Sequence, residues 1–236
     1  ISIIGDSIVY GVGDDGGSGG WVRRLASYLG STIVKNCGIG GSTIGGATGS
    51  SGANGYMPIW GRIGTDYSTW IGYSYASESV KADCPNRIID TNSDLILIAA
   101  GVNDFGQSIP IGTFLSTDTA TFKGALNQMF LNIFSTFPSK EVAFILPIKC
   151  NSQTSGAKAY NSFLSNSINL KQLDYVNAII EICDYYSIPV LDLYAYSGFT
   201  PYTSTGRSSF FLDGLHPNAN GYDIMAKKIA SWVNSL

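Results

Sequence analysis

Charge is scarce in this chain of 236 residues. Asp, Glu, Lys and Arg together make up 13% of it, about half the share found in an ordinary globular protein. Fourteen basic and 17 acidic residues leave a formal net charge of −3, and no basic run occurs. That balance argues against a surface for nucleic acid or for an anionic membrane. No apolar run approaches the length of a membrane-spanning helix. Four cysteines are present, Cys37, Cys84, Cys150 and Cys183, with no CxxC pair and no spacing suited to zinc. Cys37 and Cys183 lie in apolar segments and read as buried thiols; the spacing leaves disulfides open. Histidine is the rarest absence of all. There is one, His216, so any chemistry that needs an imidazole has a single candidate.

What fills the chain instead is Gly, Tyr, Ser, Thr and Asn. A low-charge, hydroxyl-rich composition of this kind predicts an extracellular, secreted or virion-surface location. The chain begins at Ile1, inside a predicted strand, which predicts that the natural chain extends further or is processed there. The hydrophobic fraction is 44%, ordinary for a globular protein, and the length suits one α/β unit with a substantial core.

Five short apolar runs read as buried parallel strands: Ile1–Ile4, Thr32–Asn36, Asp94–Ala99, Val142–Pro147 and Ile188–Leu193. Helical stripes alternate with them. One carries Trp21, Val22, Leu25 and Leu29, with Gly30 as its C-terminal cap. A second carries Phe122, Leu126, Met129, Ile133 and Phe137. A third carries Leu173, Val176, Ile180 and Cys183. The last carries Ile224, Met225, Ile229, Trp232 and Val233, with Asn218 or Asn220 near its start. This alternation implies a parallel sheet with helices on both faces, and no linker or repeat divides the chain. The predicted unit is therefore 1–236, with a long loop insertion at about 43–92. Such a length of irregular chain is unusual in a compact unit. It holds Tyr56, Trp60, Tyr67, Trp70, Tyr73 and Tyr75. A second irregular stretch, Tyr194–Leu212, holds Tyr196, Phe199, Tyr202, Phe210 and Phe211. Long loops in α/β enzymes commonly build the rim of a site.

Each chemically suggestive group follows a strand. Ser7 stands in Gly5-Asp6-Ser7 after the first. Gly38, Gly40 and Gly41 follow the second. Asn103 stands in Gly101-Val102-Asn103-Asp104 after the third. Asp213 and His216 stand in Asp213-Gly214-Leu215-His216 after the fifth. Ligands of open α/β sheets bind outside the carboxyl ends of the strands, at the switch point of the strand order. With strand order 2-1-3-4-5, Ser7 and Asn103 flank that point. A serine hydroxyl becomes a useful nucleophile when a neighbouring base takes its proton. An imidazole suits that work, and a carboxylate on its far nitrogen fixes the tautomer and stabilises the imidazolium. The tetrahedral oxyanion formed by serine attack on an ester needs donors placed in advance. The Ser7 and Gly41 backbone N–H groups and the Asn103 amide are candidates, with Gly40 the alternative to Gly41. Asp6 reads as a turn or helix-start residue, and Asp104 as a hydrogen-bond anchor for its loop.

These four blocks, in this order and spread over nearly the whole chain, resemble the SGNH hydrolase superfamily, also called the GDSL esterase/lipase family. The resemblance implies a flavodoxin-like, three-layer α/β/α sandwich on a five-stranded parallel sheet. It implies Ser7 as nucleophile, His216 as base oriented by Asp213, and Ser7, Gly41 and Asn103 as the oxyanion hole. No metal or organic cofactor is implied. Two departures stand out. Ile8 replaces the leucine of the full GDSL motif, and the stretch between the second and third blocks exceeds that of compact thioesterase-like members.

The expected function is a serine esterase acting through an acyl-enzyme. Short-chain acyl esters, chiefly acetyl, on a small molecule or polysaccharide are the expected substrate, since the loops are rich in Tyr, Trp, Ser, Asn and Gly and no long aliphatic lid is evident. Lipase, arylesterase and acyl-thioesterase are the enzymatic alternatives, and acyl transfer to a second sugar would use the same acyl-enzyme. A glycan-binding module of a larger extracellular or phage-tail protein is the non-enzymatic alternative. The full set of Ser7, Gly41, Asn103, Asp213 and His216 speaks against binding alone. Trp60 and Trp70 have two readings, as packing residues of a long loop or as platforms for sugar stacking. Tyr202 is a further candidate substrate contact. Arg207 is a candidate contact for an anionic substrate or a solvated loop arginine.

Overall fold

The computed structural model describes residues 1–14, 19–30, 33–46, 57–152 and 160–236. Thr32 and Tyr56 lie outside them. Five strands form one sheet: β1 (Ser2–Gly5), β2 (Lys35–Gly38), β3 (Leu95–Ala99), β4 (Glu141–Ile145) and β5 (Val190–Leu191). All pairings are parallel and the order is β2-β1-β3-β4-β5. Gly5 stands level with Gly38 on one side and Ala99 on the other, so the first three strands end in a row. The two central strands are apolar along their length because both faces are covered.

Nine helices are described: α1 (Ser7–Tyr10), α2 (Gly20–Tyr28), α3 (Glu78–Asp83), α4 (Val102–Gly106), α5 (Phe122–Thr136), α6 (Gln172–Tyr185), α7 (Leu193–Tyr196), α8 (Ser204–Phe210) and α9 (Ala219–Val233). Right-handed crossovers run leftward from β1 to β2 and rightward from β3 to β5, which places the connecting helices on opposite faces. Accordingly α2 packs with α9, and α5 with α6. Thr121 caps α5 through Gly124 N–H, and the predicted stripe from Phe122 to Ile133 is fully buried. Asn218, not Asn220, caps α9, accepting from the N–H groups of Asn220 and Gly221. Gly30 takes a left-handed φ of 77° directly after the end of α2.

Three predictions shift. The second strand starts at Lys35 instead of Thr32, since Ile33 is 81% exposed and only the later residues reach β1. The fifth keeps only Val190 and Leu191 of its predicted run. On α6 the buried face carries Tyr175, Val176, Ile179, Ile182 and Cys183, whereas Leu173 and Ile180 are exposed. The helix is turned toward Tyr175, whose ring is buried and whose hydroxyl donates to Ile109 O at 2.7 Å. All four cysteines are buried and unpaired.

The described part of the long stretch before β3 contains regular turns. It holds 3₁₀ turns at Ile59–Arg62, Tyr67–Thr69, Tyr73–Tyr75 and Cys84–Arg87, besides α3. It closes over a second small core of Ile39, Met57, Trp70, Ala76 and Cys84. Arg87 donates to Asn36 O and Asp90 N–H to Ser2 Oγ, and the most deeply placed tie to the sheet is Arg62, which is fully buried. Its guanidinium donates to Gly5 O at 2.9 Å and to Cys37 O at 3.2 Å, the last turns of β1 and β2. Burial pulls its pKa down to about 10, so it stays charged at neutral pH. Arg62→Met should cost about 2–3 kcal/mol, the scale of hydrogen bonds to a charged group. Urea denaturation checks this, and a wild-type midpoint in the variant would remove Arg62 as a tie.

Candidate active site

Ser7 opens α1 directly after β1, and it is only 9% exposed. Asp6 is the N-cap; its Oδ1 accepts from Ile8 N–H at 2.8 Å, the helix-start role expected of it. Gly5 is required by its neighbours, since a Cβ there would lie 2.3 Å from both Ala99 O and a Val9 methyl. The strand can thus deliver Ser7 into the row of strand ends without displacing β3. The Ser7 N–H is the first of α1 and precedes the intrahelical ladder.

His216 reaches Ser7 from the far end of the chain. Its Nε2 lies 3.0 Å from Ser7 Oγ, and its Nδ1 lies 2.8 Å from Asp213 Oδ2. The other carboxylate oxygen of Asp213 accepts from the His216 and Leu215 N–H groups at 2.7 and 2.9 Å. Burial alone would raise the Asp213 pKa, but the bonds from His216 and the neighbouring backbone outweigh it and hold it at about 2. The ionised carboxylate accepts a hydrogen bond from Nδ1–H, which keeps the proton on Nδ1 and leaves the Nε2 lone pair facing the serine. The loop is braced from both sides. Leu212 N–H donates to His216 O at 2.8 Å, and Asn151 N–H donates to Gly214 O at 2.8 Å.

The turn after β2 passes over Ser7. A Cβ on Gly40 would lie 4.0 Å from the Ser7 Cβ, and Gly41 takes a left-handed φ of 73°, which glycine adopts without strain. Asp104 holds the turn from below. It is fully buried and accepts from Ile44 N–H at 2.9 Å and Gly45 N–H at 2.8 Å, the anchor role expected of it. Its neighbour Asn103, 4% exposed, donates through Nδ2 to Ser42 O at 3.0 Å. Its Oδ1 accepts from the Tyr160 hydroxyl at 2.9 Å. The structure thus joins Ser7, His216 and Asp213 directly, with the turn of Gly40 and Gly41 and the Asn103 amide, itself bonded to Ser42 O, at the ends of the neighbouring strands.

The outer candidates divide. Trp70 is 4% exposed in the second core, with the Arg62 guanidinium 5.9 Å from its ring centre. That corrects the stacking alternative, because no ring face is open to a sugar. Trp60 is half-buried against the main core, and its carbonyl takes a bond from Asn132, well along α5 from the strand ends. Tyr202 and Arg207 lie nearer the site. Arg207 Nε donates to Pro201 O at 3.3 Å, and Asn151, the brace of the His216 loop, donates to the same carbonyl at 3.4 Å. Tyr202 donates to Cys150 O at 3.1 Å and packs on Phe163 with ring centres 4.8 Å apart. Two residues of this assembly escaped the sequence reading. Tyr160 carries no local motif. Arg62 had one signal, a single charge among Ile59, Trp60 and Ile63. Among the described residues no group of three or more His, Cys, Asp or Glu could hold a metal ion, and no helix is long and apolar enough to cross a membrane.

A five-stranded doubly wound sheet with a Ser–His–Asp cluster at its carboxyl edge defines the class of protein, a flavodoxin-like α/β hydrolase. The family model of the GDSL-like lipase/acylhydrolase family matches residues 3–224. The chain belongs to that family, whose chemistry is hydrolysis of carboxylic esters. A solved structure 31% identical superposes with TM-score 0.78, covering 100% of this chain and 96% of the other. A Lactobacillus plantarum protein is 26% identical with TM-score 0.74, covering 99% and 95%. A catalytic mutant of an acetylxylan esterase from Geobacillus stearothermophilus shares the fold at 15% identity and TM-score 0.54, covering 98% and 91%. No curated protein matches the sequence.

Burial raises the pKa of Asp6 to about 6 and of Asp104 to about 7. An unfolded chain releases both protons near pH 4, so folding holds protons that the unfolded chain has lost, and stability falls as pH rises through about 4 to 7. Asp213 acts in the opposite sense, and its contribution is lost only as pH falls from about 4 toward 2. The urea midpoint should therefore be higher at pH 5 than at pH 7.5, with a flatter profile in Asp104→Asn. Equal midpoints in the wild-type protein would contradict the buried-carboxyl account.

Proposed function

We propose that this protein is a serine esterase that removes short acyl groups, chiefly acetyl, from carbohydrate by way of an acyl-enzyme. The observation that carries the reading is the unbroken relay from Asp213 through His216 to Ser7, with contacts of 2.8 and 3.0 Å. In the first half-reaction Ser7 Oγ attacks the ester carbonyl carbon while its proton passes to Nε2 of His216. Asp213 stabilises the imidazolium without itself taking the proton. The oxyanion is received by the Ser7 N–H, the Gly41 N–H and the free Nδ2 hydrogen of Asn103. Collapse of the intermediate breaks the bond to the sugar oxygen, which leaves with the proton from His216. In the second half-reaction His216 takes a proton from water, the hydroxide attacks the acyl carbonyl, and Ser7 leaves with that proton restored.

The carbohydrate part of the reading draws support from the acetylxylan esterase that shares the fold, and from the character of the rim. Around Asn151, which braces the His216 loop, stand Tyr202, Phe163 and Arg207, two aromatic rings and a guanidinium. A rim of that kind suits a hydroxylated ligand better than an aliphatic chain. A secreted location fits the same reading.

Hydrolysis of p-nitrophenyl acetate, butyrate and octanoate, with acetate release from an acetylated polysaccharide measured alongside, tests the proposal. Ser7→Ala should lose roughly 10⁴-fold or more in kcat, and Asp213→Asn roughly 10³- to 10⁴-fold, because Nδ1–H loses its acceptor. Asn103→Ala should lose roughly 10²- to 10³-fold. Acetate should be the preferred acyl group. A preference for octanoate sinks the deacetylase, and turnover that survives Ser7→Ala sinks the serine mechanism.

A further inference from the structure

The geometry points to Tyr160 as the positioning residue that fixes which way the Asn103 amide faces, an assignment that rests on the oxyanion role proposed for Asn103. A carboxamide has two ends of nearly equal shape, and packing alone distinguishes them poorly. Hydrogen bonds do distinguish them. The Ser42 carbonyl, 3.0 Å from Nδ2, can only accept. The Tyr160 hydroxyl, 2.9 Å from Oδ1, donates. Turning the amide over would set Oδ1 against the Ser42 carbonyl, two acceptors facing each other. It would also set an N–H against the tyrosine; the phenol oxygen can accept it, but the buried Tyr160 O–H would lose the acceptor it has in Oδ1. With both partners in place, one Nδ2 hydrogen is committed to Ser42 and the second is left for the developing oxyanion.

The bond is sheltered from water. Asn103 is 4% exposed and Tyr160 9%. In such a setting a donor on Oδ1 polarises the amide and strengthens its N–H groups. Helix α4 provides the space for the ring. Gly106 lies three residues after Asn103, and a Cβ there would fall 2.3 Å from Tyr160 Cε1 and 2.4 Å from Cζ. The helix that presents the amide thus also carries the gap that admits the tyrosine. Burial pushes the Tyr160 phenol well above its ordinary range, so the hydroxyl keeps its proton at every pH at which the relay works.

A double-mutant cycle of Tyr160→Phe and Asn103→Ala tests the assignment. It is read as kcat and KM on p-nitrophenyl acetate and as the rate at which a fluorophosphonate labels Ser7. Rates are normalised to titrated reactive sites, so an unfolded fraction does not count. Tyr160→Phe should lower kcat and the labelling rate about tenfold, with KM within about twofold. In the Asn103→Ala background the same change should have no further effect, and rescue of the pH profile is not needed because His216 is untouched. Wild-type rates in Tyr160→Phe, with Asn103→Ala impaired, overturn the positioning role alone. Losses that multiply in the double variant also overturn it, since Tyr160 would then act by another route. Wild-type rates in Asn103→Ala overturn the positioning role and the oxyanion reading together.

Discussion

A fully buried guanidinium sits against the strand that leads into Ser7, and the edge of the sheet on which the site is built is fastened through it. Arg62 ties the carbonyls that end β1 and β2. In doing so it fastens the stretch before β3 to the sheet edge. Desolvating such a group is costly unless its hydrogen bonds are made. Here the two carbonyls take Nη1 and Nη2, while Nε is buried with no hydrogen-bond partner among the described residues. The negative counterweight is more distant, and Asp6 is among the charges that act on Arg62. A second buried ion-like group, Asp104, does the complementary work on the other side by holding Ile44 and Gly45. Between these two fixed points the turn of Gly40 and Gly41 is held at both ends, as the oxyanion role proposed for it requires.

The relay gains precision from the same economy of parts. The loop of Asp213 and His216 is short, and its rigidity is borrowed. Asn151 holds Gly214, while the pairing of Phe211 with Pro217 closes its base. Asn151 also donates to Pro201, from which Arg207 hangs. The chain after β4 is thereby the common support for the His216 loop and for Arg207 and Tyr202, two candidate substrate contacts. Changes to that segment should be felt by chemistry and by substrate selection together.

The alternation of strands and helices and the strand-end cluster could be read from the sequence, for two physical reasons, whereas the sheet order came only with the family resemblance. Buried parallel strands must be apolar throughout, so β1 and β3 stand out as runs. Ester chemistry by serine demands particular residue types, so Ser7, Asn103, Asp213 and the lone His216 announce themselves. Edges were harder. The start of β2 depends on where it meets β1, which no local pattern states, and Ile33 is apolar yet exposed. Tyrosine misled the reading of α6, because its hydroxyl hides how well its ring packs. Arg62 and Tyr160 were beyond reach for a different reason. Each acts on a partner 57 residues away, and only folding brings such partners into contact. The two readings of Trp70 could be separated only by folding, which favours packing, since an aromatic ring in a long loop looks alike whether the loop is open or closed on its own core.

The four buried thiols carry a consequence of another kind. Cys37 lies in the edge strand β2, Cys84 in the second core, Cys150 after β4 and Cys183 on α6. Burial pushes the first, third and fourth up to about 11, 12 and 12. Since only the thiolate reacts readily, an alkylating reagent in solution must wait for the protein to open. Each sulfur is then a clock for its own neighbourhood, and together they would time the breathing of four separate regions of the molecule.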